Sequence, residues 1–192
     1  EPPCKRRSVR GERAGKSPTY AGVPWITEEQ LLATPGLQAV VVETAVRDLV
    51  PTAQRCVAAG MHVHVDKPAG ESLGACKQLH ATATSRGVTV QMGYMLRYNP
   101  AFQLLFKLAN EGALGKIFEV HGVMSKTVPA SERLRLAQFA GGSMFELGCH
   151  IIAALVTPLG TPERVTSPLP RPPPAPDTPA PHCRARSPHP AH

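Results

Sequence analysis

Three apolar runs of strand length alternate with helical patterns, and this alternation constrains the fold more than any other feature of the chain. The runs cover residues 39–43, 61–65 and 88–92 and are rich in β-branched side chains, as is typical of buried parallel strands. Each run is followed by a segment in which apolar residues recur at helical spacing. This order, with short connections, predicts an α/β fold built on a parallel sheet with right-handed crossovers.

Capping residues mark the ends of the predicted helices. Thr27, followed three residues later by a glutamine, is a capping-box signature. Asn99 precedes a proline in the order expected of a helix start, and Gly60 and Gly87 follow helical patterns as stop signals. Periodicity predicts helices over residues 48–59, 71–86, 99–110 and 143–156, and a further strand over residues 117–125.

Proline and positive charge are concentrated at the two ends of the chain. The sequence has 21 prolines, and between residues 161 and 192 about every third residue is one. Such a stretch cannot form a hydrogen-bonded ladder, so we expect disordered tails over residues 1–18 and 161–192. The two tails carry most of the formal charge of +7, which leaves the segment between them nearly neutral. A nucleic-acid partner is therefore not expected.

The cysteines and the hydropathy pattern indicate in which cellular compartment the protein is expected. Five scattered cysteines form no Cys-x-x-Cys pair, which indicates free thiols in a reducing environment. No apolar run approaches the length of a membrane span, and the basic N-terminal segment lacks the apolar core of a secretory signal. We therefore expect a cytoplasmic protein without a membrane partner.

Polar breaks follow each predicted strand at residues 44–47, 66–68 and 93–98. Ligands of open parallel sheets collect beyond the carboxyl ends of the strands, so we expect these segments to lie side by side around a ligand. Lys67 follows a buried strand and precedes a proline that stiffens the backbone. It could polarise a hydroxyl or carbonyl oxygen, and the alternative is a solvated loop lysine.

A carboxylate and a histidine lie four residues apart in the predicted helix over residues 143–156. Glu146 could orient the imidazole of His150 and fix its tautomer, which would make the histidine a usable base for a hydroxyl proton. Gly141 and Gly142 precede the pair and would let the backbone approach a ligand closely. The alternative is an ordinary pair on a helix surface.

A metal site is not predicted. His62, His64 and Asp66 alternate along a strand and so project from one face, which could hold a metal ion. No other cluster of cysteine or histidine completes a ligand set. We interpret the two histidines as packed or exposed strand residues.

Residues 20–156 resemble the Gfo/Idh/MocA oxidoreductases, the relatives of glucose–fructose oxidoreductase and inositol dehydrogenase. The resemblance depends on several motifs in the family's order and spacing. They are the strand that ends in Thr44, the Ala-Gly-Met-His-Val stretch at 59–63, Asp66-Lys67-Pro68, the segment at 93–100, Gly115-Lys116-Ile117, and the glycine-led helix at 141–150.

The resemblance implies a Rossmann domain that binds NAD or NADP, followed by an α/β domain that carries the substrate. It implies hydride transfer at a carbon of a sugar, inositol or related polyol. Lys67, Glu146 and His150 would be catalytic, with Glu146 at the family's aspartate position. The nicotinamide side of the cofactor would contact Thr44, Asp66, Lys67 and Pro68, the substrate would contact Tyr94 and Arg97, and the Lys67–Pro68 bond would be cis.

The chain also departs from the family pattern. No Gly-x-Gly occurs in the sequence, so the phosphate-binding loop is missing, and the proline-rich segment replaces most of the substrate domain. We therefore interpret the chain as a fragment, natural or from a broken reading frame. Its predicted parts are a partial Rossmann-like domain over residues 19–98 and the start of the substrate domain over 99–160. The alternative function is a non-catalytic relative that binds a small ligand or a partner subunit, and a homo-oligomer could form through the substrate-domain sheet.

Overall fold

The computed structural model describes residues 8–9 and 24–166, which fall into two compact units that meet in sequence between Met92 and Gly93. The tails predicted over residues 1–18 and 161–192 lie largely outside the described residues. Within the predicted tail over residues 1–18, Ser8–Val9 forms strand β1. This strand pairs in parallel with β2 (Trp25–Ile26). Residues 161–166 contain no helix or strand.

The first unit contains a three-stranded parallel sheet in the order β3 (Ala39–Val42), β4 (His62–Val65) and β5 (Val90–Met92). Helix α1 (Glu28–Leu32) precedes the sheet, α2 (Val46–Ala58) connects β3 to β4, and α3 (Leu73–Arg86) connects β4 to β5. This arrangement confirms the predicted α/β class and the predicted order of elements.

The core of the first unit forms because the side chains of β4 point alternately to the two faces of the sheet. Val63 and Val65 are buried in one cluster with residues of both α2 and α3, among them Leu49, Val57 and Leu79. Burial of such apolar surface is the main favourable term in folding.

The two strand histidines point away from this core. His62 is exposed and His64 is half-buried. The ring Nδ1 of His62 accepts a hydrogen bond of 3.0 Å from the backbone N–H of Thr89. This contact gives His62 a local structural role beside β5.

The predicted caps are formed. The Thr27 hydroxyl accepts a 3.2 Å hydrogen bond from the backbone N–H of Gln30, whose side chain accepts the N–H of Thr27 at 2.9 Å. Gly87 ends α3 with a left-handed φ of 66°. Helix α3 begins two residues later than predicted, because the Ser72 side chain caps it by accepting a hydrogen bond from the N–H of Ala75.

The second unit is helical in the described residues. It contains a 3-10 helix (Met95–Tyr98) and four α-helices, which are α4 (Pro100–Asn110), α5 (Ala130–Leu136), α6 (Ser143–Glu146) and α7 (Gly148–Leu159). Helix α7 packs against the 3-10 helix and against α4. Asn99 caps α4 as predicted, with its side-chain oxygen 3.0 Å from the N–H of Ala101.

The prediction of a strand over residues 117–125 is wrong. A strand requires a hydrogen-bonded neighbour, and no strand pairs with this segment within residues 24–166. The segment packs instead against α7. A Cβ added at Gly122 would lie 2.6 Å from Cγ2 of Ile151, so the absence of a side chain permits the close approach.

The prediction of a single helix over residues 143–156 is also wrong in detail, because the structure has two helices there, α6 and α7, separated at Leu147. Gly148 begins α7. It lies so close to Met144 that an added Cβ would be 2.6 Å from the Met144 Cε. Glycine is a poor helix former, and here it allows this contact between the two short elements. None of the helices described in either unit has the length and apolar character needed to cross a membrane.

Candidate active site

The carboxyl ends of β3 and β4 bring two of the predicted polar segments together. Val42 and Val65 are register partners at the ends of these strands. The backbone N–H of Asp66 donates a 2.9 Å hydrogen bond to the carbonyl of Val42, so the loop after β4 stays joined to β3. Thr44 follows β3 by two residues and is exposed. Thr44 and Asp66 therefore lie at one edge of the sheet, as expected of a ligand-binding edge.

Lys67 is half-buried and is held by a tight turn. The Lys67–Pro68 peptide bond is cis, as the resemblance implies, and Pro68 is buried. The carbonyl of Pro68 accepts a 2.8 Å hydrogen bond from the N–H of Gly70. Gly70 has a φ of 75°, and a Cβ there would lie 2.7 Å from Cγ2 of Val50 in α2. Only glycine fits this position, so the turn after Lys67 is seated directly on α2.

In the second unit, Tyr94 and Arg97 contact each other at the 3-10 helix. The Arg97 guanidinium carbon lies 5.6 Å from the centre of the Tyr94 ring, within the range of a cation–π interaction. Tyr94 is half-buried and Arg97 is exposed. The stacked guanidinium keeps donors for the hydroxyl or carbonyl oxygens of a ligand.

Glu146 and His150 lie on either side of the break between α6 and α7. Glu146 is the last residue of α6, and its carboxylate accepts a 3.0 Å hydrogen bond from Nη2 of Arg135. His150 is in the first turn of α7 and is only 8% exposed. The Sγ of Cys149 donates to the backbone carbonyl of Glu146 at 3.3 Å and so joins the two helices. The acid and the histidine are thus held by packed elements rather than on a solvated helix surface.

Sequence reasoning missed Arg135, which lies in α5. Its guanidinium contacts the carboxylates of Glu132 and Glu146. The hydrogen bonds with Glu132 and then Glu146 raise the pKa of Arg135, so it keeps its charge. The signal in the sequence was the acid–base pair at positions 132 and 135, one helical turn apart.

The donor groups at the sheet edge suit the nicotinamide end of a dinucleotide. They comprise the exposed hydroxyl of Thr44 and the half-buried Asp66 and Lys67, which offer both donors and acceptors to an amide and a ribose. The pyrophosphate would require another segment, because the sequence contains no Gly-x-Gly. Within the described residues, no group of three or more His, Cys, Asp or Glu side chains is arranged to hold a metal ion.

The chain is similar to characterised and uncharacterised oxidoreductases. It is 30% identical over 162 residues to the uncharacterized oxidoreductase YhhX of Escherichia coli, covering 83% of this chain and 46% of that protein. It is 27% identical over 141 residues to the scyllo-inositol 2-dehydrogenase (NADP(+)) IolW of Bacillus subtilis, covering 72% of this chain and 39% of the enzyme. The chain thus spans less than half the length of either relative.

A solved structure shows the same relationship. The structure of GenD2 from gentamicin A biosynthesis, in complex with NAD, matches with a TM-score of 0.62 and 32% identity, covering 75% of this chain and 42% of GenD2. Residues 5–94 match the family model described as an oxidoreductase family with an NAD-binding Rossmann fold. Residues 102–181 match the model of the GFO/IDH/MocA C-terminal domain. Through both of its parts, the chain belongs to the Gfo/Idh/MocA family of oxidoreductases.

Proposed function

We propose that the chain supplies the nicotinamide side of the cofactor site and the acid–base residues of an NAD(P)-dependent dehydrogenase. The substrate class is a sugar, an inositol or a related polyol, oxidised at a carbon that bears a hydroxyl group. The observation that carries the proposal is the fixed position of Lys67, half-buried beyond β4 on a turn that is seated on α2. The family membership and the inositol dehydrogenase among the relatives support the substrate class.

The proposed roles follow from the chemistry of each side chain. His150, oriented by Glu146, accepts the proton of the substrate hydroxyl at a ring nitrogen. The Lys67 ammonium donates a hydrogen bond to a substrate oxygen and stabilises its developing negative charge. A bound oxidised nicotinamide supplies the acceptor for the hydride of the C–H bond. Thr44, Asp66 and Pro68 hold that end of the cofactor, and Tyr94 and Arg97 bind the remaining hydroxyl groups.

Turnover by the full chain tests these roles. The full chain is mixed with NAD or NADP and with scyllo-inositol, myo-inositol or D-xylose, and reduced nicotinamide is measured by absorbance. Removal of a general base or of a hydrogen-bond donor to the developing oxyanion costs on the order of 10²-fold or more, so Lys67→Met and His150→Asn should each lower the rate by at least that factor. Lys77→Met and His80→Asn are matched controls, because both side chains belong to exposed residues of α3.

A second candidate is a non-catalytic member of the family, and the exposed guanidinium of Arg97, stacked on Tyr94, favours it as a ligand-binding group. In that case the chain binds a polyol or a partner subunit without turnover. Ligand-observed NMR with scyllo-inositol separates the two candidates. Binding that Arg97→Ala weakens, with no reduction of NAD or NADP, would favour the second. A chain that reduces no cofactor and binds neither these polyols nor a partner subunit would overturn both.

We also propose that the chain self-associates through the extended segment over residues 117–125. Phe118 is 85% exposed and Val123 is 62% exposed, an unusual exposure for apolar side chains, and no strand among the described residues pairs with this segment. The doubly substituted chain Phe118→Ser with Val123→Thr should shift the mass found by light scattering towards the monomer. A monomeric parent chain would contradict this proposal.

A further inference from the structure

The Glu146 carboxylate is held from outside its own helix. Helix α6 is a single turn of four residues that begins after Gly142, whose φ is 53°, and ends at Glu146. Such a short element has little rigidity of its own. Arg135 of α5 donates a 3.0 Å hydrogen bond to the Glu146 carboxylate.

Arg135 is itself held in place within α5. Its guanidinium also contacts Glu132, one turn earlier in the same helix. One cation is therefore shared between two carboxylates on different helices. A guanidinium binds two acceptors in a planar, fixed geometry, which a lysine ammonium cannot reproduce.

The backbone of Glu146 is fastened separately. The carbonyl oxygen of Glu146 accepts a 3.3 Å hydrogen bond from the thiol of Cys149, and His150 directly follows Cys149 in the chain. The side chain of Glu146 is 14% exposed, whereas that of Arg135 is 34% exposed. The half-buried acid is thus anchored through its backbone to α7 and through its carboxylate to α5. A glutamate has one more rotatable bond than an aspartate, and the Arg135 contact removes that freedom.

We propose that Arg135 is a positioning residue that sets the orientation of the Glu146 carboxylate for the imidazole of His150. Glu132 holds Arg135 in turn. This inference rests on the proposed acid–base role of Glu146 and His150. Arg135 touches neither substrate nor cofactor in this assignment, and its effect passes entirely through Glu146.

The nitrogen NMR spectrum of the His150 imidazole tests the inference without a measurement of catalytic turnover. A carboxylate that orients a neutral imidazole selects one tautomer, which gives two widely separated ring-nitrogen resonances. In the full chain we expect a single tautomer at His150, assigned by comparison with His150→Asn. Arg135→Gln should lose this pattern and give a mixture of tautomers, and Glu146→Gln should do the same.

The control is Lys107→Gln, which removes a cation from an exposed ion pair of α4 in the same unit and should leave the resonances unchanged. Should Arg135→Gln fail to fold, as judged by circular dichroism, Glu132→Gln and Arg135→Lys test the same contact, and each should give a partial mixture.

The outcomes separate this inference from the function it rests on. If Glu146→Gln changes the His150 resonances and neither Arg135→Gln nor Arg135→Lys does, Arg135 does not position the acid. If Glu146→Gln also leaves them unchanged, the pairing of Glu146 with His150 fails as well. Turnover that survives in His150→Asn would overturn the acid–base assignment independently.

Discussion

Glu28 in the first turn of α1 and Arg55 in the last turn of α2 form an ion pair in which two nitrogens of the guanidinium contact the carboxylate. In the chain, the whole of β3 lies between the two helices. Nη2 of Arg55 lies 2.9 Å from one Glu28 oxygen and 3.1 Å from the hydroxyl of Thr52, while its Nε contacts the other oxygen. The hydrogen bond from Arg55 lowers the pKa of Glu28 below its ordinary value of 4.5. The pair thus attaches a five-residue helix to the core of the first unit.

This pair predicts a pH-dependent contribution to stability. Because the folded pKa of Glu28 is depressed, the contribution is present above pH 4.5 and is lost as the pH falls through the folded value. Glu28→Gln should lower the free energy of unfolding by about 0.5–1 kcal/mol at neutral pH, since the pair is partly exposed. The difference from the parent, measured by urea denaturation at neutral pH and at an acid pH below the folded pKa, should vanish at the acid pH. Glu71→Gln serves as the exposed control, and an equal difference at both pH values would refute the assignment.

The core of the first unit should depend strongly on Leu49. This side chain is 1% exposed and belongs to the cluster that joins α2 to β4. Leu49→Ala should lower the free energy of unfolding by about 2–5 kcal/mol, because it removes buried methyl groups and leaves a cavity. Leu73→Ala is the matched control, since Leu73 is 71% exposed and its loss should change stability by no more than about 0.5 kcal/mol. Urea denaturation followed by circular dichroism measures both.

The first unit was largely predictable because its signals are local. The alternation of strand and helix patterns, the Thr27 capping box and the stops at Gly60 and Gly87 each depend on a few neighbouring residues. Parallel strands buried on one face also carry a strong apolar signal, as in the run that ends at Val65. The register of β3 and β4 follows once those strands are placed.

The second unit was less predictable because its structure depends on contacts distant in sequence. Residues 117–125 have the alternation of a strand, but a strand also needs a neighbour, which the sequence pattern does not specify. The break at Leu147 accompanies a close contact between Gly148 and Met144, which periodicity does not indicate. Arg135 was missed because its partner Glu146 is eleven residues away on another helix, beyond the reach of periodicity. The roles of Lys67, Glu146 and His150 remain predictions.

The Cys56 thiol should be protected from alkylation in the folded chain. It is 1% exposed in the core of the first unit, and burial raises its pKa above the ordinary value of 9.0. The thiolate is the reactive form, so both effects slow the reaction. Opening the unit costs of order 5 kcal/mol or more, so labelling should be slower at Cys56 than at the half-buried Cys76 by about 10³-fold or more.

Peptide mass spectrometry after a timed exposure to iodoacetamide measures the labelling of each cysteine separately. In concentrated urea the rates at Cys56 and Cys76 should become similar, which provides the control for intrinsic reactivity. Equal rates in the native chain would show that the packing of α2 against the sheet is wrong.

The contact between Gly122 and Ile151 should make the packing of the second unit intolerant of a side chain at position 122. Gly122→Ala places a Cβ about 2.6 Å from Cγ2 of Ile151, and such overpacking costs about 1–3 kcal/mol. Gly74→Ala is the control, because its Cβ would meet nothing closer than 3.8 Å and a helical alanine is stabilising. Ile151→Ala removes the clashing methyl group, so the double substitution should be less destabilising than the sum of the two single ones by at least about 0.5 kcal/mol. If thermal unfolding shows that the two changes in the free energy of unfolding are strictly additive, residues 117–125 do not pack against α7.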